Sequence, residues 1–519
     1  MKIRYLALWT CIFSIALFIE PVLAGSLQSK HSVRLSPYRH LHFRKSITIT
    51  ETFPNSKVFH RRGAVIWNET SFQPPAITGD IDWSALPEFT LPENMIAVYE
   101  GPHFNRPDLE PLAHGFSHIA DRGTTAAGRT QLLPEQRAAL IYNLANHYYV
   151  NPPKPQPWQY NKIPWDNDLL SYEQEWDARM RQTAAQFPES GEIPDVDLLV
   201  VDIERHWSTD TEILACRENT AAPVAADAMS DDEFILQYQK DITELYGHAL
   251  SHLKDFGYQG ALSSYSDVPI PRTFWEIPNH SWDFWTQSDE PANYLLQDFD
   301  DSSTQYGPVE ENIDFLTPSA YYHYDYPDTY DEDPADWDEG GDYLAYLLFQ
   351  VEVNKARSDK DVIPFVWMQY HDQGRSAGRI LRPHVAQASA IFPFFSGAKG
   401  VWLWEGSAQG TTGDPNWDYS AYLNFAYGLY RISFFADMFE GDYELIAPTP
   451  PNKLMEQNLP VWRAVVKDGK MLVAAQNPYA QPNEHTIFRI TYKNRLIAVL
   501  PVIGQNTALA LYPLPSPTR

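Results

Sequence analysis

Short apolar runs that end in polar or aromatic residues recur along most of this chain, and the stretches between them carry helical periodicity. The runs are GAVIWNETSF, NMIAVYEGP, VDLLVVDIE, YQGALSSYS, IDFLTPSAYYHYD, VIPFVWMQYHD and KGVWLWEGS, with SWDFWTQ a weaker candidate. Strands buried on both faces read as continuous apolar runs rather than as alternating ones. The helical stretches are PEQRAALIYNLANHYY, DDEFILQYQKDITELYGHALSHLKDFG, GGDYLAYLLFQVEVNKA, LRPHVAQASAIFPFFSG and DYSAYLNFAYGLYRISFFADMF. The second follows Ser230, a good N-cap, and meets Gly257, a good stop. Strands alternating with helices imply crossover units and a parallel sheet. Seven or eight units predict an α/β fold, a distorted (β/α)7–8 TIM-like barrel over residues 63–444. After the proline-rich APTPPNK the texture changes. Residues 445–519 read as a small C-terminal antiparallel β domain, sandwich-like, with a hairpin at Asp468-Gly469.

The first 24 residues have the layout of a signal peptide: Lys2 and Arg4, an apolar run, then Val22-Leu23-Ala24. The expected location is therefore secreted or periplasmic, and no later run is long and apolar enough to span a bilayer. Residues 25–62 form a basic arm, with Lys30, Arg34, Arg39, Arg44, Lys45, Lys57, Arg61 and Arg62 against Glu51. Cleavage leaves Cys216 as the one cysteine, so no intramolecular disulfide forms and a buried, inert thiol is expected. The net charge of -28 opposes nucleic acid and anionic membranes as partners. The 16 Trp and 30 Tyr serve packing in part, and flat ring faces also suit sugars.

The densest chemistry lies in PDVDLLVVDIERHW, from Pro194 to Trp207. In a strand, residues i and i+2 share a face, so Asp202 and Glu204 point the same way. Active sites of such barrels lie at the C-terminal ends of the strands. Two carboxylates held close raise the proton affinity of one, which then serves as proton donor beside its charged neighbour. A D-x-E strand end also suits ordinary ion pairing, with Arg205 and His206 at hand. Neighbours on one strand face do not flank a glycosidic bond from opposite sides, as a retaining pair about 5–5.5 Å apart does. The arrangement suits substrate-assisted hydrolysis: a 2-acetamido group attacks its own anomeric carbon, Asp202 orients it, and Glu204 protonates the leaving oxygen.

At these phrases the chain resembles the hyaluronidase family of glycoside hydrolases. AVIWNETSF is similar to that family's first strand, LVVDIERHW to its catalytic strand, LTPSAYYHYD to its sixth-strand region and GVWLW to its last barrel strand. The resemblance covers residues 63–430 as topology and four or five short phrases as sequence. It implies Glu204 as proton donor, Asp202 as the acid that positions the acetamido group, Tyr321 as an active-site tyrosine, and Trp404 as the floor of the sugar pocket. In SSYSDVP, Tyr265 or Asp267 matches a second tyrosine region. No metal and no organic cofactor is implied, and the partner is a polysaccharide, cut internally. The chain departs from the animal members in lacking disulfides, in the AVYEGP of its second strand, and in Glu405 after Trp404.

Two further readings stay open. Glu405 could pair with Glu204 in a two-carboxylate mechanism, which frees the substrate from any acetamido requirement and admits algal or sulfated polysaccharides. Alternation along the strand sets Glu405 opposite Trp404 and weighs against this. A barrel that binds carbohydrate without cutting it is the other. Further cleft candidates are Tyr99 and Glu100 after the second run, and Trp367, Gln369, Tyr370, His371 and Asp372 after VIPFV. His371-Asp372 lacks a second ligand set for a metal. The acidic run from Asp325 to Asp342 does not have calcium-loop spacing. No G-x-S-x-G, Walker loop or dinucleotide fingerprint is present.

Overall fold

A computed structural model describes residues 58–61, 64–68, 72, 81–101, 108–142, 163–165, 167–187, 191–203, 208–218, 222–223, 225–271, 274–299, 307–322, 341–370, 380–404 and 420–515. The signal-like segment, the basic arm up to residue 57, the acidic run up to residue 340, Glu204, Glu405, His371 and Asp372 lie outside them. All described residues belong to one compact unit, Ile49–Arg519.

Two strands, β1 (Val58–Arg61) and β2 (Ala64–Asn68), precede the barrel. The barrel is built from β3 (Ile96–Tyr99), β4 (His118–Ala120), β5 (Arg137–Tyr142), β6 (Leu198–Asp202), β7 (Ala261–Ser264), β8 (Phe315–Leu316), β9 (Asp361–Val362), β10 (Phe365–Val366) and β11 (Gly400–Leu403). Seven of these form one parallel sheet, in the order β10-β11-β3-β4-β5-β6-β7. A parallel bridge between Tyr265 and Thr317 joins β7 to the β8 segment, and another between Ser319 and Phe365 joins that segment to β10. β8 also pairs with β9 in parallel. The circuit is thereby closed. β9 and β10 are one stave interrupted at Pro364, which has no N–H to give the ladder. Gly400 allows β11 and β3 to meet, since a Cβ there would stand 2.5 Å from the Ile96 carbonyl oxygen.

Period-two alternation divides each stave. Val98, Ala120, Ala138, Leu140, Leu198, Val200, Phe315, Ile363, Phe365 and Trp402 pack together inside the barrel. Their neighbours Ala97, Tyr99, Ile119, Val401 and Leu403, and likewise Leu199, Val201 and Leu262, face the helical layer. That layer includes helices Leu169–Ala184, Asp231–Asp255, Gly341–Arg357, Pro383–Phe395 and Ser420–Ser433. Ser230 caps the second as expected, its hydroxyl accepting from the Glu233 N–H while the Glu233 carboxylate accepts from the Ser230 N–H at 2.8 Å. Between β3 and β5 the described helices are single turns, Glu110–Ala113 and Ala126–Arg129, which distorts this side of the barrel. Cys216 is buried and forms no disulfide among the described residues, as expected of an inert thiol. No described helix is long and apolar enough to cross a membrane.

The C-terminal strands are β12 (Glu444–Ile446), β13 (Val461–Lys467), β14 (Lys470–Gln476), β15 (His485–Tyr492), β16 (Arg495–Ile503) and β17 (Ala508–Pro513). They form an antiparallel sheet of order β1-β2-β17-β14-β13-β12 and a separate hairpin, β15-β16. Phe488, Ile490, Leu500 and Val502 of the hairpin pack on Ala464, Met471, Val473 and Ala510 of the sheet. Asp468 and Gly469 both have positive φ, 49° and 71°, as a two-residue turn between twisted strands requires.

Four expectations are corrected. AVIWN is not the first barrel strand: β2 pairs with β17, Ile66 opposite Ala510, so the C-terminal sheet takes strands from both sides of the barrel. The end of the basic arm is its edge strand β1. Nothing local distinguishes one buried apolar strand from another; the partner that selects the sheet lies more than 400 residues on. PEQRAALIYNLANHYY contains β5 rather than a helix, because Ala138 and Leu140 face inward while Ala139 and Ile141 face outward, and a run buried on both sides imitates a buried helix. SWDFWTQ is a helix, Trp282–Gln287, capped by Ser281, whose Oγ accepts from the Phe284 N–H at 3.1 Å.

The two parts are tied by charge as well as by apolar contact. Arg463 of β13 is fully buried and meets Glu352 of the helix Gly341–Arg357 through Nε–Oε1 at 2.6 Å and Nη2–Oε2 at 3.1 Å. The Ser396 hydroxyl donates to the same carboxylate at 2.8 Å. Removing one member strands a buried charge, which costs about 3–5 kcal/mol. Glu352→Ala is therefore expected to lower the urea unfolding free energy by about that amount. A loss under about 1 kcal/mol would place the pair among inconsequential surface bridges.

Candidate active site

Asp202 ends β6 on the same face as Leu198 and Val200, so its carboxylate emerges on the interior side at the C-terminal mouth of the barrel. It is 5% exposed. Glu204, two residues on, lies outside the described residues.

Two more acids stand at the ends of β3 and β4, which adjoin each other and are separated from β6 by β5. Glu100 follows β3 and continues the inward face of Val98. Trp402 of β11 lies beside Val98 in register, and its Nε1–H donates to Glu100 Oε2 at 2.6 Å. Glu100 Oε1 is buried and has no hydrogen-bond partner among the described residues. Burial, reinforced by the charge of Asp121, pushes the Glu100 carboxyl up to about 8; Arg122 and the Trp402 bond oppose this, and Asp202 adds to it. Asp121 follows β4. Burial raises its proton affinity too, against Arg122 and the Leu140 N–H, which donates to Oδ1 at 3.4 Å. The mouth therefore holds more carboxyl groups than charges at neutral pH.

Aromatic rings form the opposite wall. Tyr265 follows β7 and stacks near Tyr321, centroids 6.0 Å apart at 30°. Tyr321 meets Trp367 edge-on at 5.4 Å and Trp404 at 6.1 Å. Phe365 lies below, against Tyr265, Trp404 and, stacked at 4.9 Å, Trp402. The Tyr265 hydroxyl donates to Ser319 Oγ at 2.9 Å. Trp404 is the member of this group that is only partly buried. The turn after β7 is tight: Ser266 has φ 61°, and Ser264 Oγ donates to Asp267 Oδ2 at 2.5 Å. Of the two residues singled out in SSYSDVP, Tyr265 lines the interior and Asp267 fastens the turn.

The structure thus brings together Asp202, Tyr265, Tyr321, Trp367 and Trp404 among the residues expected from sequence. It sets Tyr99 and Tyr370 apart. Tyr99 faces the helical layer, edge-on to Trp83 at 5.7 Å and Phe116 at 5.2 Å. Tyr370 packs on Tyr322 at 4.2 Å in the same layer. Both follow the opposite parity from their inward neighbours Val98 and Trp367. Glu405 lies outside the described residues. Asp121 and Trp402 were not expected. Asp121 follows a stave of three residues, too short to read as a strand, whereas the W-x-W spacing of Trp402 and Trp404 signalled a shared face. No group of three or more His, Cys, Asp or Glu that could hold a metal occurs among the described residues.

No family model matches the sequence, and no curated protein does. Solved structures give distant likenesses. Bee venom hyaluronidase is 13% identical with a TM-score of 0.37, over 64% of this chain and 99% of that one. The α-amylase of Geobacillus thermoleovorans is 11% identical with a TM-score of 0.36, over 82% and 98%. The family 30 xylanase Xyn30A of Clostridium acetobutylicum is 12% identical with a TM-score of 0.24, over 73% and 88%. None is close enough to carry chemistry across. Fold and site together define a closed parallel α/β barrel whose mouth is acidic on one side and aromatic on the other.

The Glu100 carboxyl gives this mouth a pH signature. Its folded value of about 8 lies above the ordinary 4.5, so the folded protein keeps a proton that the unfolded chain releases. The resulting stability is full below pH 4.5 and is lost as pH rises towards 8. Glu100→Gln cannot titrate. In urea titrations from pH 5 to 8, the wild type is expected to lose on the order of 3 kcal/mol relative to that variant. Parallel curves would contradict the assignment.

Proposed function

We propose that the protein is a glycoside hydrolase that cuts a polysaccharide at the C-terminal mouth of its barrel. The observation that carries this reading is the delivery of Asp202, on the inward face of β6, to a mouth walled by Tyr265, Tyr321, Trp367 and Trp404. Flat rings give a pyranose its stacking surface, and a carboxylate at the same place gives it an orienting charge. Glu204 follows Asp202 by one strand period, and we assign it the proton. The oxygen of a 2-acetamido group attacks C1 of its own sugar, and the glycosidic C1–O bond breaks. The leaving oxygen takes the proton of Glu204. Asp202 steadies the acetamido N–H as positive charge develops in the ring that forms. Water then opens that ring at C1, returning its proton to Glu204, so no cofactor is consumed.

Trp402 of β11 and Trp404 just beyond it share the inward face, which supports an acid pair of Asp202 and Glu204 over one completed by Glu405. We place the enzyme outside the cytoplasm on the strength of residues 1–24, and assign it internal cleavage.

Reducing-end release across glycosaminoglycans, chitin-type and algal polysaccharides identifies the substrate. Glu204→Gln is then expected to lower kcat by roughly 1,000-fold or more while oligosaccharide binding persists. A thiazoline that imitates the acetamido-derived ring is expected to inhibit. Normal turnover by Glu204→Gln would sink the hydrolase assignment. A potent Glu204 effect without thiazoline inhibition would leave a hydrolase of non-acetamido sugars.

A further inference from the structure

The stave that carries Tyr321 has little regular ladder. β8 ends at Leu316, and beyond it the backbone bonds that close the ring engage the carbonyls of Thr317 and Pro318. The next two carbonyls accept from side chains that reach in from the outer layer. Tyr346 donates its hydroxyl to the Ser319 carbonyl at 2.9 Å, and Tyr343 donates its own to the Ala320 carbonyl. Both tyrosines are buried, and three residues apart on the helix Gly341–Arg357 they share one face. A phenylalanine ring would fill either place as well, so packing alone does not call for the hydroxyls. Their use is to satisfy two buried oxygens and to hold them.

A peptide group is planar, so fixing its oxygen fixes the whole plane. The Ala320 oxygen belongs to the peptide that leads into Tyr321, and the Ser319 oxygen to the one before it. These planes set the direction in which the Tyr321 ring leaves the backbone towards Trp367 and Trp404, 5.4 Å and 6.1 Å away between centroids. Tyr265 is tied to the same stretch, its hydroxyl donating to Ser319 Oγ at 2.9 Å. The helix is itself a fixed reference. Beyond β14 the Tyr479 hydroxyl donates to Asp342 Oδ1 at 2.6 Å, and Arg463 of β13 grips Glu352.

We infer that Tyr343 and Tyr346 are positioning residues for the aromatic wall: from outside the barrel their hydroxyls hold the Ser319 and Ala320 peptides and so aim Tyr321 into the mouth. The purpose rests on the hydrolase reading, in which Tyr321 meets a sugar that must lie in register with Asp202 and Glu204. Neither hydroxyl touches a reacting atom, and the loss of either acts through Tyr321.

A single 3-fluorotyrosine at position 321 reads the ring directly. Its fluorine signal is expected to be displaced or split by Tyr343→Phe and by Tyr346→Phe. Tyr258→Phe is the control. It removes a buried phenol whose hydroxyl donates to the Ala261 carbonyl at 3.1 Å, at the opposite ends of the staves, and it should leave the signal in place. Without the label, each of the two wall variants is expected to lose roughly tenfold in kcat with KM within about threefold, while Tyr258→Phe keeps kcat within about threefold. Either wall variant alone carries the test should the other fail to fold. A Tyr321 signal unmoved by the wall variants, or moved as far by Tyr258→Phe, overturns the inference. So does an active enzyme in which the wall variants lose no more kcat than Tyr258→Phe. If the wild type cuts no polysaccharide, the hydrolase reading falls, while the fluorine signal still decides whether the two phenols hold Tyr321.

Discussion

The backbone hydrogen bonds on either side of residues 317–320 hold the architecture shut. Ser266 N–H donates to the Thr317 carbonyl at 2.9 Å, Phe365 N–H to the Pro318 carbonyl at 2.9 Å, and Ala320 N–H to the Phe365 carbonyl at 3.0 Å. Through them a seven-stranded sheet becomes a ring. Closure fixes the inside, and the inside fixes everything at the mouth. Once the ring is shut, each stave has one face in a dry interior, and the residue at its C-terminal end inherits that face. Asp202 is inward because Leu198 and Val200 are, and Trp404 because Trp402 is. Tyr99 is outward for the same reason.

The dry interior also sets the charge state. A carboxylate taken from water into an apolar surrounding loses much of its solvation, and the proton returns unless a cation or several donors compensate. Arg122 compensates in part, and the Trp402 indole supplies one donor to Glu100. The balance still favours a neutral Glu100. The aromatic wall meets the other need of a sugar site, an apolar surface on which hydroxyl-rich rings can lie by their C–H faces. Acids on one side and rings on the other thus follow from which staves end in which residue.

Much of this was legible in the sequence because both periodicities are strong. The long apolar runs around Val98, Val200, Phe365 and Trp402 gave the staves, and the D-x-E phrase gave the inward acid at Asp202. Legibility failed where selection is non-local. AVIWN is a good buried strand, and its placement in the C-terminal sheet depends on β17 at the far end of the chain. It failed again where one run is apolar on both faces, as in RAALIY, which reads equally as helix and as strand. The stave His118–Ala120 is too short to show any period, so nothing in the sequence marks Asp121 as a stave-end acid. Tyr370 follows the aromatic tip of its run, but its parity is opposite to that of Trp367 and sets it in the outer layer beside Tyr322.

The claim on which the account stands is that the carboxylate at the end of β6 orients a sugar for cleavage. Asp202→Asn tests it most directly, since the amide keeps the size of the side chain and removes its charge. With the polysaccharide that the wild type cleaves, the account predicts a loss of roughly 100-fold or more in kcat. Oligosaccharide should still perturb the Trp404 fluorescence of that variant. An Asp202→Asn protein that releases reducing ends at the wild-type rate would contradict it.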